Sequence, residues 1–361
     1  MRNESGPESG SSIGRTRHGP PNSARAHGSR AHAACCEQCR PGPNRAQRPA
    51  RPPLLEKRVS TLSRRRLLTG AAAAAATAAV LPFVATTARG AEGKTPKVLL
   101  IGIDGTLLGR IKDADAPALK GLMAAGLTAP SSMPADSPAP TLSGPGWSTL
   151  LTGVWPAKHR VLNNDITGHQ LKKYPDFLTR IEKTKPALGT LAVCSWNPIP
   201  NKIIARADTE IPTPEAEYDE GTTKSAVDKL STTNPDAVFV HLDNVDHAGH
   251  DSGAASQAYL DAIHGVDGQI GRILDAVKSR ATYGEEDWLI LITTDHGHTD
   301  GGGHGGTSAP ERETFLIASG GGIAAGSTRD DVRMPDVAVI ALTHLGIPVD
   351  AAWDLDGKPL A

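Results

Sequence analysis

Cysteine is nearly missing from this 361-residue chain: there are four, and three of them, Cys35, Cys36 and Cys39, crowd together near the start. The fourth, Cys194, has no second thiol in the body of the chain, which excludes a disulfide scaffold there and leaves it as a small core residue. The early trio, even with His32, lacks the distant second ligand pair of structural zinc folds. Internal repeats are absent. Net charge is also scarce, at −1 overall, but unevenly spread. Residues 1–66 carry 14 Lys/Arg and 4 Asp/Glu, a net of +10, so the remainder carries −1 − 10 = −11. An acidic body argues against binding a nucleic-acid polymer and leaves small phosphate esters open as substrates.

Residues 1–58 are rich in Arg, Pro, Gly and Ser and carry no apolar periodicity, so they bury too little surface to offset the entropy of ordering and are expected to be disordered. Ser63-Arg64-Arg65-Arg66-Leu67-Leu68 then precedes an alanine-rich apolar run to Ala88. A twin-arginine pair before a moderately apolar segment resembles a bacterial Tat export signal, with Leu67 where that pattern often has Phe. The run is long enough to span a membrane, but Ala and Thr dominate it and Pro82 interrupts it, so cleavage near Ala88 or Ala91 is the expectation and no stable span. Because such signals start a few residues before their arginines, translation is expected to begin at Val59, which would make 1–58 a mis-assigned extension. Residues 59–91 are then the signal and 92–361 a single domain.

That domain reads as strands alternating with helices. Apolar β-branched runs at 98–103, 188–194, 236–242, 288–292 and 313–318 read as strands; 113–125, 144–152, 174–184, 222–231, 254–278 and 336–345 read as helices. The fold class is therefore α/β, a largely parallel central sheet flanked by helices. Three strands end alike: the first in Asp104, another in the segment with Asp246 and His250, and a third in Asp295-His296-Gly297-His298 followed by glycines around His304. A single such segment is equally a polar, His-rich surface loop. Three in one parallel sheet would share its carboxyl edge, where open α/β sheets place ligand sites. Carboxylates converging there repel one another and call for cations; mixed Asp and His donors suit zinc, with manganese or iron as alternatives. Two metals about 3.5–4 Å apart are the general clamp for phosphoryl transfer. Ser143, followed by Pro145, opens a helix; its hydroxyl is either an ordinary cap or lies at a good anion site. Trp147 could stack on a substrate base or pack into the core.

The Asp-Gly after the first strand, the Ser-x-Pro…Leu-x-Thr-Gly block from Ser143 to Gly153, Asp246-x-x-Gly249-His250 and Asp295-His296-Gly297 occur in the order of the alkaline phosphatase superfamily. Within it, the chain from Lys97 to near its end resembles the nucleotide pyrophosphatase/phosphodiesterase (type I phosphodiesterase) family. The resemblance implies an alkaline-phosphatase-like fold and two divalent metals, foremost Zn2+. Asp104, Asp295 and His296 would hold one together with the nucleophile Ser143, which stands where the family usually has Thr. Asp246, His250 and His304 would hold the other, with His298 or His344 as alternatives to His304. Asn164 would contact phosphate oxygens, helped by backbone N–H groups at the start of the 144–152 helix. Pro156-x-x-His159 matches a family turn in which Arg160 replaces a usual Gly.

The implied activity is an exported metal-dependent hydrolase of small phosphate esters, of phosphodiester or nucleotide pyrophosphate type, with the Tat machinery as export partner. A phosphomonoesterase or phosphonoacetate hydrolase would use the same ligands. A sulfatase would carry Cys/Ser-x-Pro-x-Arg, and Trp147 occupies the Arg position. An exported binding protein that has lost catalysis is the reading from another class.

Overall fold

The computed structural model describes residues 93–214 and 217–360. The expected extension, the signal peptide, the start at Val59 and the His32–Cys39 cluster lie outside the described residues. The chain runs through β1 (Thr95–Ile103), α1 (Leu108–Asp113), α2 (Pro117–Ala125), β2 (Leu127–Ser132), α3 (Ser143–Thr152), α4 (Pro156–His159), α5 (Phe177–Thr184), β3 (Thr190–Cys194) and β4 (Thr209–Pro212). It continues with α6 (Tyr218–Thr232), β5 (Ala237–Leu242), α7 (Asn244–Ser252), α8 (Gln257–Lys278), β6 (Glu286–Thr293), α9 (Ala309–Arg312), β7 (Glu313–Gly320), β8 (Ser327–Thr328) and α10 (Asp336–His344).

Eight strands form one sheet in the order β4-β3-β5-β1-β6-β7-β2-β8. Pairing is parallel from β4 through β6, antiparallel on both sides of β7, and parallel again between β2 and β8. The largely parallel α/β sheet expected from alternation is the one observed. Alternate residues of β1 feed two cores. Val98 and Leu100 join one with α3, α5 and α10, while Leu99, Ile101 and Ile103 join the other with α8. Burial on both faces explains why the central strands are continuous apolar runs.

Two expected helix starts needed correction. The helix expected over 113–125 begins at Pro117 as α2, because the residue before a proline resists the helical conformation, and Asp113 instead ends the separate α1. The helix expected from 174 starts at Phe177, where Asp176 accepts a hydrogen bond from the Thr179 N–H as its N-cap. The helix expected over 254–278 is observed as α8, and Asn244–Ser252 forms a further helix, α7, separated from it by Gly253 with φ 80°. The sequence reading also missed β2, β4 and β8, three strands too short or too exposed to show a clear alternation.

Register positions the site. Gly102 of β1 lies opposite both His241 of β5 and Thr293 of β6. Asp104, Asp243 and the Thr294–Asp295 step therefore leave the sheet side by side at one edge.

Candidate metal centre

Asp104, Asp295 and His296 meet just beyond the central strands and are fully buried. His296 Nε2 lies 3.4 Å from Asp104 Oδ1 and 3.2 Å from Asp295 Oδ2. These three atoms have no hydrogen-bond partner although all are buried. Leaving buried polar atoms unpaired costs about 1–3 kcal/mol each, more for charged groups, so three converging orphans are hard to explain as packing. His296 Nδ1 lies 3.2 Å from the Gly297 carbonyl, which makes it the donor and leaves a lone pair on Nε2. Asp295 Oδ1 accepts from the Gly105 N–H at 3.3 Å. The donor set fits a divalent cation of intermediate softness.

A second group sits on α7 and the glycine loop. Asp246 Oδ2 is 3.4 Å from His250 Nε2, one helical turn away, and its Oδ1 is 2.7 Å from His298 Nε2 and 3.4 Å from His304 Nε2. His304 Nε2 and His250 Nε2 face each other at 3.0 Å. The glycine run brings His304 here: Gly302, Gly303 and Gly305 have φ of 103°, 79° and 104°, conformations that side chains rarely adopt. Glu311 anchors the far end of the run by accepting from the Gly306 and Ser308 N–H groups. His304 Nδ1 donates to the Thr141 carbonyl at 2.6 Å, so its Nε2 keeps the lone pair. His298 packs into space that only glycine provides, since a Cβ on Gly105 or Gly249 would stand 2.8 or 2.7 Å from its ring. His344 is corrected as an alternative: its Nε2 pairs with the Asp287 carbonyl near the start of β6, at the opposite edge of the sheet.

The charges behave as four crowded acids should. Burial, then the charges of Asp104 and Asp246, hold Asp295 well above the usual carboxylate range. Burial and Asp104 do the same to Asp243. Burial also pushes Asp246 up, but its bonds to His250 and His298 outweigh that and leave it well below the range. Burial lowers His296 to about 3, whereas the bond to Asp246 raises His250.

Ser143 is the first residue of α3, with Leu142 as the capping position, so it is not an ordinary N-cap. Its flanks are tied to both groups: Thr141 holds His304, and Trp147 Nε1 donates to Asp104 Oδ2 at 2.8 Å. Of the two readings of Trp147, packing holds, since the side chain is fully buried. One expectation fails here. Most backbone donors expected at the helix start are already taken. The Gly144 N–H donates to Asn164 Oδ1 at 2.8 Å, Pro145 has no N–H, and the Gly146 N–H bonds to Leu142 O. Asn164 does reach the start of α3, but by bonding its backbone. Arg160 adopts the left-handed conformation, φ 59°, that a glycine would take there, so the Pro156–His159 turn forms despite the replacement. Burial lowers His159 to about 3, and the neutral ring accepts from the Val161 N–H and meets Thr149 Oγ1 at 3.1 Å.

Sequence reading missed His241, Asp243 and Tyr218. His241 is a fully buried imidazole in an otherwise apolar strand, and that incongruity was the available signal. Asp243 precedes α7 and accepts from the Tyr218 hydroxyl, which also meets His247.

The family model for type I phosphodiesterase/nucleotide pyrophosphatase matches residues 98–204 and 192–337, which together span most of the described chain. The chain belongs to this family. Among curated relatives, GPI ethanolamine phosphate transferase 1 of Yarrowia lipolytica is 31% identical over 106 residues, covering 29% of this chain and 11% of the relative. Ectonucleotide pyrophosphatase/phosphodiesterase family member 3 of Mus musculus is 24% identical over 179 residues, covering 44% and 20%. This chain thus spans a small fraction of either relative. The fold matches murine ectonucleotide pyrophosphatase/phosphodiesterase 5, inactive and in complex with AMP, with a TM-score of 0.57 at 14% identity, covering 73% of this chain and 97% of that one. It also matches a 2-O GAG sulfatase, TM-score 0.59 at 15% identity, covering 74% and 73%. The architecture is that of the alkaline phosphatase superfamily, a superfamily of phosphoester hydrolases and transferases. No helix among the described residues is long and apolar enough to cross a membrane.

Proposed function

We propose that this protein is an exported two-metal hydrolase of phosphate esters, of phosphodiester or nucleotide pyrophosphate type, acting through a phosphoseryl intermediate on Ser143. The observation that carries the reading is the set of three unpaired buried atoms, Asp104 Oδ1, Asp295 Oδ2 and His296 Nε2, at the strand ends beside the start of α3. Asp104, Asp295 and His296 would hold one divalent ion, foremost zinc, and Asp246, His250 and His304 the other, with His298 adjoining. Such ions supply the positive charge that makes a serine hydroxyl nucleophilic near neutral pH and offsets charge on the leaving oxygen.

The protein's own groups do the rest. Ser143 Oγ attacks phosphorus in line, forming an Oγ–P bond as the bond to the leaving oxygen breaks. Asn164 accepts the Gly144 N–H through Oδ1, which leaves its amide N–H groups to donate to the phosphoryl oxygens together with the Ser143 N–H. Water then attacks the phosphoserine from the vacated side, breaking Oγ–P and restoring the serine. If an alcohol replaces water in that step, the same site is a transferase, a reading favoured by the likeness to ethanolamine phosphate transferases.

The test is Ser143→Ala on zinc-loaded protein. Turnover of bis-p-nitrophenyl phosphate should vanish while metal content stays near that of the wild type. Persisting turnover would remove Ser143 from the mechanism, and a wild type inert toward mono-, di-, phosphono- and sulfate esters alike would favour a non-catalytic binding protein. Product partition in added glycerol separates hydrolase from transferase. Export predicts that replacing Arg64 and Arg65 by Lys traps the protein in the cytoplasm.

A further inference from the structure

Asp104 uses its two oxygens differently. Oδ1 is unpaired and faces His296, while Oδ2 accepts two bonds, from Trp147 Nε1 at 2.8 Å and His241 Nε2 at 3.0 Å. The His241 tautomer follows from its other nitrogen. The Trp196 N–H points at Nδ1, 3.4 Å away, so Nδ1 is the acceptor and Nε2 carries the hydrogen. His241 is therefore a donor to Asp104 and has no lone pair left for a metal, although its ring nitrogen lies close to Asp104 and Asp243.

The arrangement is built into the core. Trp147 and His241 meet edge to face with centroids 4.8 Å apart, and both are fully buried. The indole lies across β1 at Gly102, where a Cβ would come within 2.2 Å of it. A glycine two residues before the acid, a tryptophan four residues after Ser143 and a histidine in the neighbouring strand thus form one device. We infer that Trp147 and His241 are positioning residues that clamp Oδ2 of Asp104 and so present Oδ1 to the metal. The inference rests on the proposed role of Asp104 as a ligand.

The experiment titrates metal-free full-length protein with Zn2+ against a chromogenic chelator and follows Co2+ absorption in parallel. Trp147→Phe keeps the ring and deletes the N–H; His241→Leu deletes the other donor; His241→Gln keeps an N–H near the Nε2 position. The first two should weaken one of the two bound ions about 10- to 100-fold, the usual scale for losing a ligand's supporting partner. Their Co2+ band should shift, with the second ion unaffected. His241→Gln should restore most of the affinity. Wild-type affinity and spectrum in both Trp147→Phe and His241→Leu would overturn the inference, as would equal losses in His241→Gln and His241→Leu. If Trp147→Phe does not fold, the Gln and Leu pair still decides. Asp104→Asn separates the two readings: unchanged binding there defeats the ligand role itself, whereas loss there with none in the donor variants defeats only the clamp.

Discussion

The two candidate metal-ligand groups differ in how they are built. Asp104, Asp295 and His296 extend from the ends of adjacent central strands, are sealed from solvent and leave three atoms unpaired. Asp246, His250, His298 and His304 combine one short helix with a glycine loop, and much of their hydrogen bonding is to one another. The His250 side chain is 34% exposed. The first group is sealed and its acids crowd one another without a cation; the second opens to solvent at His250 and is partly satisfied by its own imidazoles. Strain stored at a site is offset by the fold around it, and a bound ion then releases it.

The sharpest way to break this contrast is Asp295→Asn. The folded pKa of Asp295 is raised above its unfolded value, so the folded state holds a proton that the unfolded chain has lost. Its contribution to stability therefore falls as pH rises from the unfolded pKa toward the folded one. Asparagine removes that loss and can still accept the Gly105 N–H. Metal-free Asp295→Asn should melt higher than the metal-free wild type at pH 7, by about 2–4 °C for each kcal/mol of relieved repulsion. It should also lose the buried ion and nearly all activity. A lower melting temperature in the metal-free variant would show that the buried acids are not strained.

Chelation and pH probe the same contrast less drastically. Dilute chelator should remove the ion at His250 before the sealed one, giving two phases of metal release; a single phase would erase the distinction. Acid should act in the same order. His250 is raised above its ordinary value by Asp246, so its proton competes with metal already below that raised pKa, whereas His296, at about 3, stays neutral throughout the neutral range. Affinity at the open group should therefore fall first as pH drops.

The smallest effect is expected for Gly303→Ala. A Cβ there meets nothing within 4 Å, but φ of 79° strains any L side chain, at about 1–2 kcal/mol. The cost should appear as a modest loss of affinity at the His304 group alone, read by the same titration. Equal weakening of both ions would mean that the loop carries the two groups together.

Much of the fold was legible because parallel strands buried on both faces are unbroken apolar runs, and β1, β5 and β6 are among the clearest here. The candidate ligands were legible for a related reason: they stand immediately after those runs, where apolar sequence gives way to Asp and His. The start of the helix expected over 113–125 was misplaced because the break made by Pro117 is local backbone chemistry laid over a continuing periodicity, and α7 was missed because it is short and mostly polar. Residues inside the runs were harder. His241 looked like one more strand position, and for Trp147 only its burial separated packing from stacking on a substrate.

Sequence alone was enough for the alternation of strands and helices, the acid-and-histidine endings of three strands, and the glycines that permit the loop at 301–306. Tertiary structure decided which groups share an atom. Trp147 and His241 reach the same carboxylate oxygen from 43 and 137 positions away along the chain. His298 and not His344 joined His304, because one lies at the carboxyl edge of β6 and the other near its start. Periodicity reports only which face a residue takes within its own element. Strand register and order determine which faces and ends meet, and those are properties of the assembled sheet.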